Sequence, residues 1–271
     1  MLKTLTTFLT LALLCLPVLA QTVGRVDLVS GDVAVVDAKA KPRSVKVGDD
    51  IKRGDTVTTG KDGELHATLD DGSVLAVRPE ARMQIVKFQF KEKDSDGSIV
   101  ALLRGAMRTI TGLIGRRNPK GVLLQTPTAT IGIRGTDHEA LVILPDSDVG
   151  EPGTYDKVNA GGTRIQSARG RVDIAPGQAG FASLAAPPVV LASVPSFFKP
   201  TANEKRLEGV NDAVQRSFEH RGGGTTRKPA GKGGTQIQGN TRINANGSNV
   251  SATASGSDNQ AGNRVGTIGG D

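Results

Sequence analysis

The sequence is poor in the residues that most often carry chemistry. Its 271 residues include one cysteine, one tyrosine, no tryptophan and three histidines. A single cysteine, Cys15, excludes a disulfide framework and any thiolate metal cluster, both of which need several. His66, His138 and His220 are too far apart for an H-x-x-x-H zinc pair. With so few aromatics, a base-stacking groove is not expected, and nucleic acid is not expected as a partner. Beyond the N-terminus no apolar stretch approaches the ~20 residues of a membrane span. Val189–Ala192 is too short and is flanked by prolines. No metal and no cofactor are expected.

What is present is glycine, 35 residues of it, and a positive charge of +7. High glycine with few aromatics fits β-structure with many turns plus a low-complexity region. The charge is concentrated. Residues 99–121 hold Arg104, Arg108, Arg116, Arg117 and Lys120 with no acid, and residues 222–271 carry a net +3. A nucleic-acid binder is more often basic over a whole domain face. The stretch reads either as a solvated charged rim or as a contact for an anionic partner.

Met1–Ala20 reads as a secretory signal. Lys3 gives the positive start, Leu5–Leu16 the apolar core, and Val18-Leu19-Ala20 the cleavage site before Gln21. Lipidation at Cys15 would want a small residue before it, and Leu14 stands there. The mature protein is therefore expected to be periplasmic or secreted, cleaved after Ala20, without a membrane span.

Residues 21–144 read as strands. Val23–Val29, Val33–Val36, Thr56–Thr59, Leu65–Leu69 and Val74–Val77 are separated by Gly- and Asp-containing turns, among them Asp70-Asp71-Gly72-Ser73. Turn signals recur about every 8–12 residues, the spacing of an all-β sandwich or barrel. The expected fold class is thus all-β: a sandwich or barrel-like antiparallel domain with one C-terminal helix and a low-complexity tail. Residues 145–201 read as a β extension ending in a Pro/Ala-rich segment. Residues 202–221 read as the one helix, with Leu207, Val210, Val214 and Phe218 on one face. Such a single stripe usually packs on its own domain. Residues 222–271 are rich in Gly, Asn and Ser and read as disordered or weakly β. A sequon at Asn249 is a short match with nothing beside it to support use.

No catalytic set emerges. Asp70 and Asp71 are explained by turn chemistry. His66 alternates with Leu65 and Ala67 and reads as a solvent-face strand residue. A strand points His138 away from Asp137 and Glu139, so adjacency makes no relay. Gly132–Thr136 lacks the phosphate-loop pattern. Within Gln125–Thr136, Pro127 fixes an extended start, and Gly132 and Gly135 bracket Arg134. Arg134 reads either as a pin between β-layers, bonded to carbonyls or to a carboxylate such as Asp137, or as an anion or ligand contact.

The string at Thr126–Thr136 resembles the signature of FecR-like domains. So do Val47-Gly48-Asp49, the run Arg53–Gly60 with Gly54 and Asp55, Leu69–Ser73 with Gly72, and Arg104-Gly105-Ala106 before Thr111-Gly112. Together they span roughly Val23 to Leu144. Gly153-Thr154-Tyr155 and Ala175–Phe181 are similar to an extension of many exported members. The resemblance implies an all-β extracytoplasmic domain. It implies a structural role for Gly48, Asp49, Gly54, Asp55, Gly72, Pro127, Gly132 and Gly135. Arg134, Arg104, Arg108, Arg116 and Arg117 remain candidates for an anion or partner contact. The founding type senses an iron-siderophore transporter and controls a sigma factor through a membrane helix and a cytoplasmic segment. With the N-terminus read as a cleaved signal, direct sigma-factor control is not expected.

Three functions follow as expectations. The first is a non-enzymatic periplasmic or secreted recognition or scaffold protein that binds a protein partner or a cell-envelope polymer. The second is an extracytoplasmic signalling adaptor in metal (iron) uptake, working through a separate membrane partner. The third is a surface-associated protein that self-assembles through its tail.

Overall fold

The computed structural model describes residues 21–222, without the side chains of Ser217, Phe218 and His220–Gly222. The signal, Cys15, the tail with its sequon and Phe218 of the helical stripe lie outside the described residues. Seventeen strands make one hydrogen-bonded network that folds into two layers. In space the first layer runs β4 (Asp50–Lys52), β1 (Thr22–Ser30), β6 (Glu64–Leu69), β7 (Val74–Val77), β9 (Gly97–Ile110), β12 (Asp137–Ile143), β13 (Gly153–Ala160), β16 (Ala179–Ala182), β17 (Val189–Val190). The second runs β3 (Pro42–Ser44), β2 (Val33–Val36), β5 (Thr56–Thr59), β8 (Arg82–Gln89), β9 again, β10 (Val122–Gln125), β11 (Thr130–Ile133), β14 (Thr163–Ser167), β15 (Gly170–Ile174).

The layers share β9. Its first half pairs with β8 and β10, and its second half, from Gly105, pairs with β7 and β12. Gly105 sits at the changeover with φ +73°, and an added Cβ would lie 2.6 Å from Ala81 Cα and 2.7 Å from the Glu80 carbonyl. Only glycine meets both the left-handed backbone and the close approach.

Period-two alternation builds the interior. Leu65 and Met107 of the first layer and Met83, Ile85, Leu102, Leu124, Ile131 and Ile165 of the second join one core, with 2 % exposure or less. Each contributes on the order of 1.5–3 kcal/mol by burial. The Asp70–Ser73 turn closes as its sequence requires: Leu69 N donates to the Ser73 carbonyl (2.8 Å), and Asp71 Oδ1 accepts from Ser73 N (3.0 Å).

Three details differ from the sequence reading. Pairing is antiparallel except β9 with β10, which run parallel because the connection between them is long enough to return the chain. That connection contains a short helix, α1 (Leu113–Arg117), whereas the sequence reading has only the C-terminal helix. The C-terminal helix is bent. A 3-10 helix, Ala202–Leu207, gives way to α2 (Val210–Gly222) at Gly209, whose φ is +76°. Leu207 and Val210 pack on Val74, Ala76 and Ile110 of the first layer. That layer's outer face is thereby covered. The second layer's outer face alternates between half-buried and exposed residues, and among the described residues no helix lies over it.

Candidate functional site

Two groups of polar residues come together, and a third, the arginines named from the sequence, stays dispersed. The first is a charged seam beneath the C-terminal segment. Residues at alternate positions of neighbouring strands share the outer face: Arg108 on β9, Asp137 and Glu139 on β12, Lys157 and Asn159 on β13. Arg78, just after β7, donates from Nη2 to Glu139 (2.6 Å) and from Nε to Glu204 of the 3-10 helix (2.5 Å). Arg108 grips Asp137 with two bonds (2.9 and 2.6 Å) and lies 3.6 Å from Glu204. Lys157 Nζ and Asn159 Nδ2 donate to Glu139 (2.8 and 3.1 Å).

Charge balance in the seam is internal. Burial raises the Glu139 pKa, but the Lys157 hydrogen bond and the Arg78 charge outweigh that and bring it to about 2. Burial opposes the charge on Arg78, and Glu204 more than compensates, so its guanidinium is held charged. Beside the seam, Glu64 accepts from His66 (2.6 Å), Thr201 (2.6 Å) and Asn203 (2.9 Å). Those bonds outweigh the burial that would raise the Glu64 carboxyl, and its pKa is lowered. His66 is therefore not solvent-exposed. It lies on the outer face, as alternation requires, but the C-terminal segment covers it.

The second group is interior. His138 Nδ1 meets Asp156 Oδ1 (2.6 Å), and Thr163 Oγ1 donates to Asp156 Oδ2 (2.5 Å). The three come from β12, β13 and β14, which is why adjacency in the sequence did not reveal them. A hydroxyl nucleophile needs imidazole beside the hydroxyl. Here the carboxylate stands between them, all three side chains are fully buried, and His138 Nε2 has no hydrogen-bond partner among the described residues. The order and the burial fit a structural tie between the layers. Among the described residues no three His, Cys, Asp or Glu side chains gather to hold a metal ion.

The third group is the candidate arginines, which do not converge. Arg108 belongs to the seam. Arg116 donates to Asn211 Oδ1 (3.1 Å) and to Gln215, so it holds α2 down. Arg117 is 3.9 Å from Glu92. Arg134 is half exposed and pairs with Asp173 (2.6 Å), so it does not pin the layers through Asp137, which Arg108 has taken. Arg104 lies exposed opposite Arg82 on the open face of the second layer.

The motif residues fall mainly at turns. Gly48, Gly54, Gly72 and Gly135 have positive φ. Asp49 accepts from Lys46 N (3.0 Å), and Asp55 from Arg43 (2.7 Å) and Lys52 N (3.0 Å). Pro127 lies in the turn tied by Thr126 Oγ1 and Ala129 N (3.0 Å), while Gly132 lies within β11. Arg78, Glu139 and Glu204 were missed. The one signal, and for Glu139 alone, is polar residues at period two, Asp137/Glu139 and Lys157/Asn159, in strands whose other residues are apolar or buried.

Comparison with known proteins gives one family and weak structural overlap. Two structures of a candidate anti-sigma factor from Parabacteroides distasonis overlap 51 % of this chain and 59 % of theirs, at 13 % and 14 % identity, each with a TM-score of 0.41. The chain thus spans less than two thirds of those neighbours. A cell surface anchoring domain overlaps 23 % of this chain and 82 % of its own, at 27 % identity and a TM-score of 0.23. No curated protein matches. Residues 55–149, from the turn before β5 to the loop after β12, match the family described as FecR protein.

Proposed function

We propose that the protein is an exported, non-enzymatic recognition or scaffold module that binds a protein partner or a cell-envelope polymer through the open face of its second layer. The carrying observation is the contrast in polar satisfaction. Under the C-terminal segment, charges are paired with one another. On the open face, Arg82 and Arg104 sit opposite each other with no ion-pair partner among the described residues. Like charges placed opposite each other work against sheet stability, and an anionic partner relieves that.

Site-specific photo-cross-linking in cells tests this. A probe at Gln125, on the open face, is expected to give adducts. A probe at Lys205, on the segment covering the other face, is expected to give fewer. No adduct from Gln125 would overturn the reading. Export is checked by N-terminal sequencing: a chain starting at Gln21 supports it, and a retained Met1 in the cytoplasm defeats it.

The FecR-family match favours a second reading, an extracytoplasmic adaptor in metal uptake that acts through a separate membrane partner. Deleting the gene should then change transcripts of metal-uptake genes under iron limitation, and an unchanged profile ends that reading. The tail-driven self-assembly reading concerns residues outside those described.

A further inference from the structure

We propose that the open face of the second layer, centred on Gly132, docks a peptidoglycan glycan strand lying across the β-strands; this rests on the recognition reading above and names its ligand. Backbone register lines up one row of side chains over six strands. Gln84 stands opposite Ala101, Ala101 opposite Gln125, Gln125 opposite Thr130, Thr130 opposite Gln166, and Gln166 opposite Arg171. Adjacent strands are about 4.8 Å apart, so the three glutamines, one on every second strand, recur at about 9.6 Å. An extended 1,4-linked glycan repeats on that scale, because successive rings are turned over and equivalent groups return only with every second sugar. Gln125 and Gln166 are exposed and their side chains have no hydrogen-bond partner among the described residues, while the half-buried Gln84 donates to the Gly54 carbonyl (3.4 Å). Their amides can both donate to and accept from the acetamido groups of such a strand.

Gly132 is the independent observation. It lies mid-strand between β10 and β14, with no register shift on either side. Its backbone is not left-handed, and an added Cβ would meet only the Arg164 carbonyl, at 3.9 Å. Neither conformation nor packing calls for glycine here. A strand-interior glycine of this kind marks a place where something approaches the backbone from outside.

Charge selects an acidic glycan over a neutral one. Arg82, Arg104 and Lys87 flank the row at β8 and β9, exposed and without an ion-pair partner among the described residues. At the other end Arg134 and Arg164 share the single carboxylate of Asp173 (2.6 and 2.7 Å), and Arg171 ends the row. Among the described residues the face has no exposed aromatic ring on which a neutral sugar would stack. Peptidoglycan offers an acetamido group on each sugar and carboxylates on the lactyl-linked peptides of alternate sugars.

The test is co-sedimentation of the purified protein with peptidoglycan sacculi, with soluble chitohexaose as an uncharged probe. The wild type should sediment with sacculi and bind chitohexaose more weakly. Gly132→Val and the double variant Gln125→Ala/Gln166→Ala should each lower sacculus affinity about tenfold, with unchanged circular dichroism and no fall in Tm. A wild type that stays in solution, or a folded Gly132→Val and a glutamine double variant that both sediment like wild type, would overturn the proposal. Failure to bind sacculi while Gln125 still cross-links a protein in cells would also overturn it, and would leave the recognition reading standing.

Discussion

The two outer faces of this sandwich are made from the same alternating strands and end in opposite states. On the first layer, Arg78, Glu139 and Glu204 are buried and Arg108 is partly buried, bonded to one another and to Asp137 under the chain's own C-terminal segment. On the second, Gln125, Gln166, Arg82 and Arg104 are exposed with no side-chain partner among the described residues, while Arg134 and Arg164 share Asp173. Polar residues in a strand thus say which face they occupy. They do not say whether that face is covered. The covered face serves stability, and the open face keeps exposed polar side chains without partners among the described residues.

The sharpest way to break this contrast is to remove one buried charge. Glu204 bridges Arg78 and Arg108 from a position with 1 % exposure. Glu204→Ala leaves two guanidinium groups short of a counter-charge and should cost about 3–5 kcal/mol. Gln125→Ala on the open face should stay within about 0.5 kcal/mol. Urea unfolding of both variants reads the difference directly, and equal midpoints would dissolve the contrast. Gly105, where β9 passes between the layers, comes next. Gly105→Ala adds left-handed strain and a contact with Ala81, together about 2–4 kcal/mol. It should lower the Tm of the whole sandwich, since both layers hang on that strand.

Acid sharpens the comparison by dissecting the seam. Glu139 titrates near 2 in the folded chain against an ordinary value of 4.5. A carboxylate with a depressed pKa lends stability that is complete above 4.5 and fades as the pH falls towards 2. The stability gap between wild type and Glu139→Gln should therefore be largest near neutral pH and shrink by about 2 kcal/mol across that window. A gap that stays constant from pH 5 to pH 2 would mean that Glu139 is not held by Arg78 and Lys157 as described.

How much of this was legible follows from what each feature depends on. Strands and turns depend on neighbours in sequence. Leu65, Ala67 and Leu69 mark a strand and its inner face, and Asp70-Asp71-Gly72-Ser73 its turn. The resemblance to a family was likewise carried by contiguous motifs. His66 shows the limit. Alternation correctly puts it outside the core, but only the docking of Thr201–Leu207, far along the chain, buries it with Glu64. The same holds for Arg134, whose partner Asp173 lies two strands away in space and 39 residues on in sequence. The bend at Gly209 had a local signal, a glycine inside the helical stripe, that the apolar spacing outweighed. The parallel pairing of β9 with β10 had none, because it depends on where the whole β9 strand turns.

The smallest effect is the one that separates the faces most cleanly, because it concerns two glycines within strands. Gly180 on β16 lies in the first layer, and an added Cβ would come 2.4 Å from Ile174 Cδ1 and 2.7 Å from Ile165 Cδ1. Gly180→Ala therefore overpacks the core and should cost about 1–3 kcal/mol. Gly132 on β11 would place its Cβ in ordinary contact with the Arg164 carbonyl alone, at 3.9 Å. Gly132→Val supplies a β-branched residue to a strand and reduces the freedom of the unfolded chain, so it should raise stability by about 0.5–1 kcal/mol. Thermal melts of the two variants should move in opposite directions. If Gly132→Val melts lower than wild type, the residue is held by packing after all, and its place on the open face loses its functional reading. If it melts higher, a position that could have been improved for folding has been left bare, which is the physical trace of a surface shaped by what it touches.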